Sequence, residues 1–320
     1  LDREIRKRVE NMPVLSAVVM EVLSRSGRPD CSTREVAEVI AADNSLTSKV
    51  LRLANSAYYG LPRRVERVSM AVPLLGLRAV RKLVLGVSTY DLMQLELEGY
   101  GHRKETLWAH SLGVSIAAER LCGMVGYRKT EELSLIALMH DIGKVVLSGF
   151  ILDRFDENTA PVLERGGWEA VRLERRLCGT DHAEVGAMIA ERWNLSPRFA
   201  EVIRYHHRPE NAPGMPKASA LVNLADTIAR VLLGDEDPVQ VLLNLDQASM
   251  RVLHVKGIVI ARELSSIKEA IRGELDFWIR YAGPRREEDD GAGRGKEEGA
   301  STSAREEALE VGDEDGGDEA

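Results

Sequence analysis

Leu133-Ser134-Leu135-Ile136-Ala137-Leu138-Met139-His140-Asp141-Ile142-Gly143-Lys144 is the stretch on which the reading of this chain turns. Leu133, Ile136 and Ala137 recur at helical spacing, and His140 continues their face, so its imidazole points inward. A buried imidazole or carboxylate must be paired, hydrogen-bonded or metal-bound to offset its desolvation. Neighbours within a helix do not face the same way. Gly143, however, ends the helical pattern, which lets His140 and Asp141 both reach one ion at that helix end.

Working outward, the chain has only seven histidines. Five of them fall into a pattern with two aspartates: His110, His140 with Asp141, His182, the pair His206 and His207, and Asp226. His110 shares a face with Leu107, Val114, Ala117 and Leu121, and Asp226 closes the apolar run Leu221-Val222-Asn223-Leu224-Ala225. A shared metal would satisfy several of these groups at once. Mixed imidazole and carboxylate donors suit Fe, Mn or Zn better than Mg. Asp141, with two oxygens, could bridge two such ions and help activate a water for attack on phosphorus. Lys144 would then meet a phosphate oxygen as a point charge, so Asp141 and Lys144 are the expected catalytic pair. The bland alternatives are a buried polar network that serves only packing and, for Lys144, a solvent-facing residue after a helix end.

The rest of the chain reads as nearly all α. Apolar residues recur at helical spacing with little period-two alternation. Ser32-Thr33-Arg34-Glu35 forms a capping box, Asp181-His182-Ala183-Glu184 forms a related one, and Ser196-Pro197 sets a cap followed by proline. The segment from Gln94 to Lys104, with Gly99 and Gly101, is the best internal boundary. The expected organisation is therefore an N-terminal helical lobe over 1–95, a second helical lobe over 104–282, and an acidic tail over 283–320. The tail carries five basic and 14 acidic residues, −9 against −8 for the whole chain, which leaves +1 for the remainder. With almost no large apolar side chains it is expected to be disordered. Residues 1–90, with 15 basic and nine acidic residues, are mildly basic.

Several function classes are disfavoured by composition. No apolar run approaches the ~20 residues of a membrane-spanning helix, and the charged start Leu1-Asp2-Arg3-Glu4 does not read as a secretory signal, so a cytoplasmic protein without a membrane partner is expected. Cys31, Cys122 and Cys178 are too widely spaced for a disulfide framework or a zinc knuckle. Trp108, Trp168, Trp193 and Trp278 are read as core or interface anchors, and His102 and His254 as packing or surface residues. Thr33 to Asn55 imitates a helix-turn-helix with Lys49 and Arg52 on its second helix. That helix is apolar at Leu46, Val50, Leu51 and Leu53 and lacks a dense base-reading face, so direct nucleic-acid binding is not expected.

His140-Asp141-Ile142-Gly143-Lys144, with His110 upstream and Asp226 downstream, resembles the HD superfamily of metal-dependent phosphohydrolases. His182 and the pair His206-His207 match the additional histidines of its HD-GYP subgroup, which hydrolyses cyclic di-GMP. After that pair this chain reads Arg208-Pro209-Glu210-Asn211-Ala212-Pro213 and lacks the subgroup's Gly-Tyr-Pro signature. Meanwhile Asp43-Asn44-Ser45-Leu46-Thr47-Ser48-Lys49-Val50-Leu51-Arg52-Leu53-Ala54-Asn55-Ser56-Ala57-Tyr58-Tyr59-Gly60 closely resembles the first-lobe signature of HDOD (HD-related output domain) proteins. So do Val68-Ser69-Met70-Ala71-Val72 and Leu74-Leu75-Gly76-Leu77-Arg78. The resemblance implies an all-α, two-lobed HDOD architecture and a bacterial signal transduction module that acts on signalling protein partners. It also implies the seven-residue ligand set for one or two divalent ions. The alternative is a metal-dependent phosphohydrolase or phosphodiesterase acting on a nucleotide or cyclic dinucleotide.

Overall fold

In a computed structural model of the chain, the described residues are 1–282 except 29, 103–105, 155, 157–158 and 235–236. The acidic tail expected to be disordered lies outside them. The first helices are α1 (Asp2–Glu10), α2 (Ala17–Ser26), α3 (Thr33–Ala41), α4 (Asn44–Ala54) and α5 (Val68–Met93). A central group follows, with α6 (Thr106–Val125), α7 (Thr130–Met139), α8 (Gly143–Leu152), α9 (Thr159–Arg165), α10 (Gly167–Cys178), α11 (His182–Arg192), α12 (Pro197–Tyr205) and α13 (Pro216–Leu233). The last are α14 (Pro238–Asn244), α15 (Gln247–Leu253), α16 (Gly257–Ala261) and α17 (Leu264–Ala282). Among the described residues there is no strand, only an isolated bridge between Leu97 and His102.

Helices α6 and α13 are apolar on nearly every side, and both lie in the middle of the protein, packed on each other. Helix α7 lies along α6, α11 packs on α8 and α12, and α17 closes over α6. One hydrophobic core runs from Ile5 in α1 to Trp278 in α17, within a compact unit spanning Leu1–Gly283.

Local signals act as read in most places. Ser32 and Glu35 make the reciprocal capping box of α3, and the Asp181 carboxylate accepts the Glu184 N–H at the start of α11. Ser196 does sit at the cap of α12, but its side chain makes no capping hydrogen bond. Helix α5 is broken at Gly76, whose φ of 77° and ψ of 158° lie where a side chain would be strained. Asn55 fixes the corner after α4: its amide donates to the carbonyls of Leu51 and Val65 at 2.9 and 2.8 Å and accepts the Val65 N–H at 2.7 Å. Beyond that corner, Tyr58 stacks on Phe277 of α17 with ring centroids 4.7 Å apart.

Three expectations need correction. Thr130–Leu152 does have the length and mean hydropathy, 1.7, of a membrane span, although 78% of that window is buried inside the protein. It is also two helices, parted by the turn that carries His140 and Asp141. Trp168 is not a core anchor: it is 41% exposed, with the Arg175 and Arg208 guanidinium groups over its ring at 5.8 and 5.1 Å. Finally, Gly143 opens α8 instead of ending a helix.

Candidate metal centre

The turn between α7 and α8 works because residue 143 has no side chain. A Cβ there would stand 2.0 Å from the His182 carbonyl oxygen and 2.7 Å from the Gly186 nitrogen. The missing side chain lets the start of α8 rest directly on α11, which brings Asp141 onto His182. His182 Nε2 lies 3.1 Å from Asp141 Oδ1, and His206 Nε2 lies 4.0 Å from the same oxygen. The other carboxylate oxygen faces the opposite group: Asp141 Oδ2 is 3.4 Å from His140 Nε2, 3.6 Å from His110 Nε2 and 2.6 Å from Lys144 Nζ. Asp226 enters from α13, its Oδ1 3.2 Å from His110 Nε2. His207 stands 2.9 Å from His182, Nε2 to Nε2. All seven ligand candidates therefore meet, drawn from α6, the α7–α8 turn, the start of α11, the end of α12 and α13. Two donor sets share Asp141: one with His182, His206 and His207, the other with His110 and His140.

The orientation of the imidazoles fits a metal. His140 Nδ1 is 2.8 Å from the Ala137 carbonyl and His206 Nδ1 is 2.6 Å from that of Ile203, so each ring donates backward from Nδ1 and turns a bare Nε2 lone pair into the cluster. Both Nε2 atoms are buried and have no hydrogen-bond partner. Orphaned buried acceptors of this kind call for an explanation, and a cation held by imidazole and carboxylate donors supplies one.

Electrostatics divide the groups. Burial would lower the pKa of His182, but the Glu174 and Asp141 carboxylates outweigh it and push the ring up to about 10. His206, buried beside His140 and His182, is pushed down to about 3. Burial likewise lowers His207 and His110, the latter against the opposing pull of Asp226. Burial alone would raise Asp141, yet His140, Lys144 and His182 hold it well below the usual carboxylate range. Asp226 is held down in the same way by His110. The Asp141 carboxylate keeps Lys144 raised despite its burial.

Sequence reasoning overlooked Glu174 of α10. It is fully buried at 0% exposure, accepts the His182 Nδ1–H and backbone N–H at 2.7 and 2.8 Å, and accepts the Tyr100 hydroxyl at 2.9 Å. Its place between Ala170 and Cys178, four residues from each on the buried face of the helix, was a usable signal. The segment read as a boundary is also part of the structure around the site: Tyr100 is fully buried, and the Gly99 N–H donates to Ser148 Oγ at 3.1 Å. His102 follows, its Nδ1 buried without a partner and the ring pushed down to about 3 by burial.

A cavity of about 390 Å³ opens onto the cluster. His110, Asp141, Lys144, His182, His207 and Asp226 line it on the cluster side, and the rest of its lining includes His102, Thr106, Glu164 and Arg230. Lys144 is 7% exposed, so the solvent-facing alternative does not describe it.

An all-α protein with a His/Asp cluster at an HD turn is what fold and site define. The HDOD domain family model matches residues 12–209, and the chain belongs to that family. An HDOD domain protein of unknown function from Geobacter sulfurreducens has a similar crystal structure, with a TM-score of 0.65 and 26% identity, covering 84% of this chain and 95% of that one. A phosphohydrolase candidate from Shewanella amazonensis SB2B shares the fold at a TM-score of 0.62 and 23% identity, covering 84% and 97%. An uncharacterized protein of Treponema pallidum (strain Nichols) is 28% identical over 214 residues, 67% of this chain; that alignment spans only 41% of the relative's length.

Proposed function

We propose that this chain is a cytoplasmic signalling module whose output to protein partners is set by a divalent metal in the His/Asp cluster and by a phosphorylated small molecule in the cleft beside it. The observation that carries the reading is the pair of buried, unpartnered Nε2 atoms on His140 and His206, aimed at the same carboxylate. His110, His140, Asp141, His182, His206, His207 and Asp226 would hold the metal, with Fe, Mn or Zn matching the donors. Such an ion would act as a Lewis acid on a phosphoryl oxygen. The protein's own groups would position the ligand: Lys144 places its ammonium beside Asp141, and the cleft would receive the organic part. Membership of the HDOD family supports signalling as the output.

A second reading, hydrolysis of a nucleotide or cyclic dinucleotide, is favoured by one observation: Asp141 and Lys144 both line the cleft, so a substrate phosphate can reach them. Elemental analysis of the native protein, followed by a phosphodiesterase and nucleotidase panel, tests both readings. Stoichiometric metal without turnover on any substrate is the result expected for the signalling module. Turnover that disappears in Asp141→Ala would replace that reading with the enzyme. Protein that neither retains nor takes up Fe, Mn or Zn would refute both.

A further inference from the structure

Beside Asp226 the cleft carries a cation that none of the roles above uses. Arg230 lies one turn beyond Asp226 on α13 and lines the same cavity. Its Nε is buried and makes no hydrogen bond, and among the described residues no carboxylate lies within ion-pairing distance of its guanidinium. The stem passes close to Gly166, where an added Cβ would lie 3.3 Å from Arg230 Cδ. Lys144, the other cation of the cleft, already pairs with Asp141 at 2.6 Å. A guanidinium whose buried Nε has no partner, beside a cavity, is suited to an oxyanion, which it can grip with two parallel hydrogen bonds.

We infer that Arg230 is the residue through which this cleft recognises a ligand's phosphate, and that the ligand is a phosphomonoester of about mononucleotide size. The inference rests on the reading of the His/Asp cluster as metal-bound. Charge balance links the two. The cavity is lined by three carboxylates, Asp141, Asp226 and Glu164, against the side-chain cations Lys144 and Arg230, and a divalent ion held by Asp141 and Asp226 would turn that balance towards positive charge. Phosphate should therefore bind only when metal is present. Glu164 on the wall disfavours a second phosphate and would accept hydrogen bonds from hydroxyl or amino groups of the ligand. The volume, about 390 Å³, lies near the lower end of the range of small-molecule sites, roughly 300–1,000 Å³. That is room for one nucleotide-sized body, whereas a cyclic dinucleotide joins two and carries two phosphates.

The test is calorimetric titration of the full chain, loaded with Mn²⁺, with inorganic phosphate, 5′-AMP and cyclic di-GMP. The wild type, Arg230→Gln and Arg230→Lys are compared, with bound metal counted in each by elemental analysis. Phosphate and 5′-AMP should bind the wild type saturably, and only with Mn²⁺ present. Arg230→Gln should bind both at least tenfold more weakly with the metal count unchanged, and Arg230→Lys should recover part of the loss, because an ammonium keeps the charge without the fork. Equal phosphate affinity in wild type and Arg230→Gln, no saturable phosphate binding by metal-loaded wild type, or binding of cyclic di-GMP tighter than 5′-AMP would each overturn the inference while leaving the metal reading standing. Wild type that takes up no metal would remove both.

Discussion

Glu174 holds His182 from behind, and its charge sets what His182 can do. With both carboxylates in place the imidazole is raised to about 10, so a metal arriving at Nε2 must displace a proton throughout the neutral range. Apparent metal affinity, measured by competition with a chromophoric chelator, should therefore climb with pH and level off only near pH 10. In Glu174→Gln the ring loses its main stabilising charge, so the climb should end at a lower pH. The plateau should fall about 10–100-fold, the usual cost of losing a carboxylate behind a ligating histidine. An identical pH profile in the two proteins would show that Glu174 does not act on the site. In the absence of metal the same groups act on folding with opposite signs. The contribution of His182 is full below its ordinary 6.5 and is lost as pH rises through about 10, whereas His206, pushed down to about 3, withdraws stability as pH falls from 6.5 towards 3. The seven ligand candidates were legible in the sequence because imidazoles and carboxylates on apolar helix faces demand compensation. Glu174 carried the same mark, but its partner lies eight residues away across a helix junction. Arg230 and His102 left none, because a cleft wall exists only once distant helices pack.

At the scale of elements, the contact between α8 and α11 decides whether the cluster assembles. A methyl group at position 143 would be driven against a backbone oxygen 2.0 Å away, which no rotamer change can relieve. Gly143→Ala is therefore expected to destabilise by about 3 kcal/mol, at the upper end of ordinary overpacking, and to weaken metal binding by moving Asp141 off His182. Gly123, exposed in α6 with nothing within 4 Å of an added Cβ, supplies the contrast. Gly123→Ala should stabilise by roughly 0.5–1 kcal/mol through helix propensity alone. Urea denaturation of the two variants reads both signs; a neutral Gly143→Ala would mean that the close approach is not needed. Helix starts and the all-α class were readable from caps and spacing, because those signals are local. The glycines of the segment read as a boundary look like those of a linker, and their spacing gave no sign that Gly99 serves a close approach to Ser148, where a Cβ would meet the carbonyl oxygen at 2.1 Å.

Over the whole molecule, the candidate metal ligands come from segments after residue 105, yet the core they depend on is shared with α1–α5. Tyr90 of α5 meets Trp108 of α6 edge-on at 5.2 Å, and Trp108 meets Trp278 of α17 at the same distance, two residues before His110. Leu83, Val84 and Leu85 of α5 belong to the same buried cluster as these rings. A metal that ties five segments together should accordingly stabilise helices that never touch it. At a free metal concentration of 100 times Kd the gain is about 2.7 kcal/mol, or a shift in Tm of roughly 4–5 °C for a unit of this size. Tryptophan fluorescence, which reports on the buried rings of Trp108, Trp193 and Trp278 and the exposed Trp168, and far-UV circular dichroism, which counts every helix, should give coincident melting curves. Adding a chelator should move both curves down by the same amount. If the chelator shifted the fluorescence transition and left part of the helical signal melting at its former temperature, α1–α5 would unfold as a separate unit, and metal occupancy could not reach them through the core.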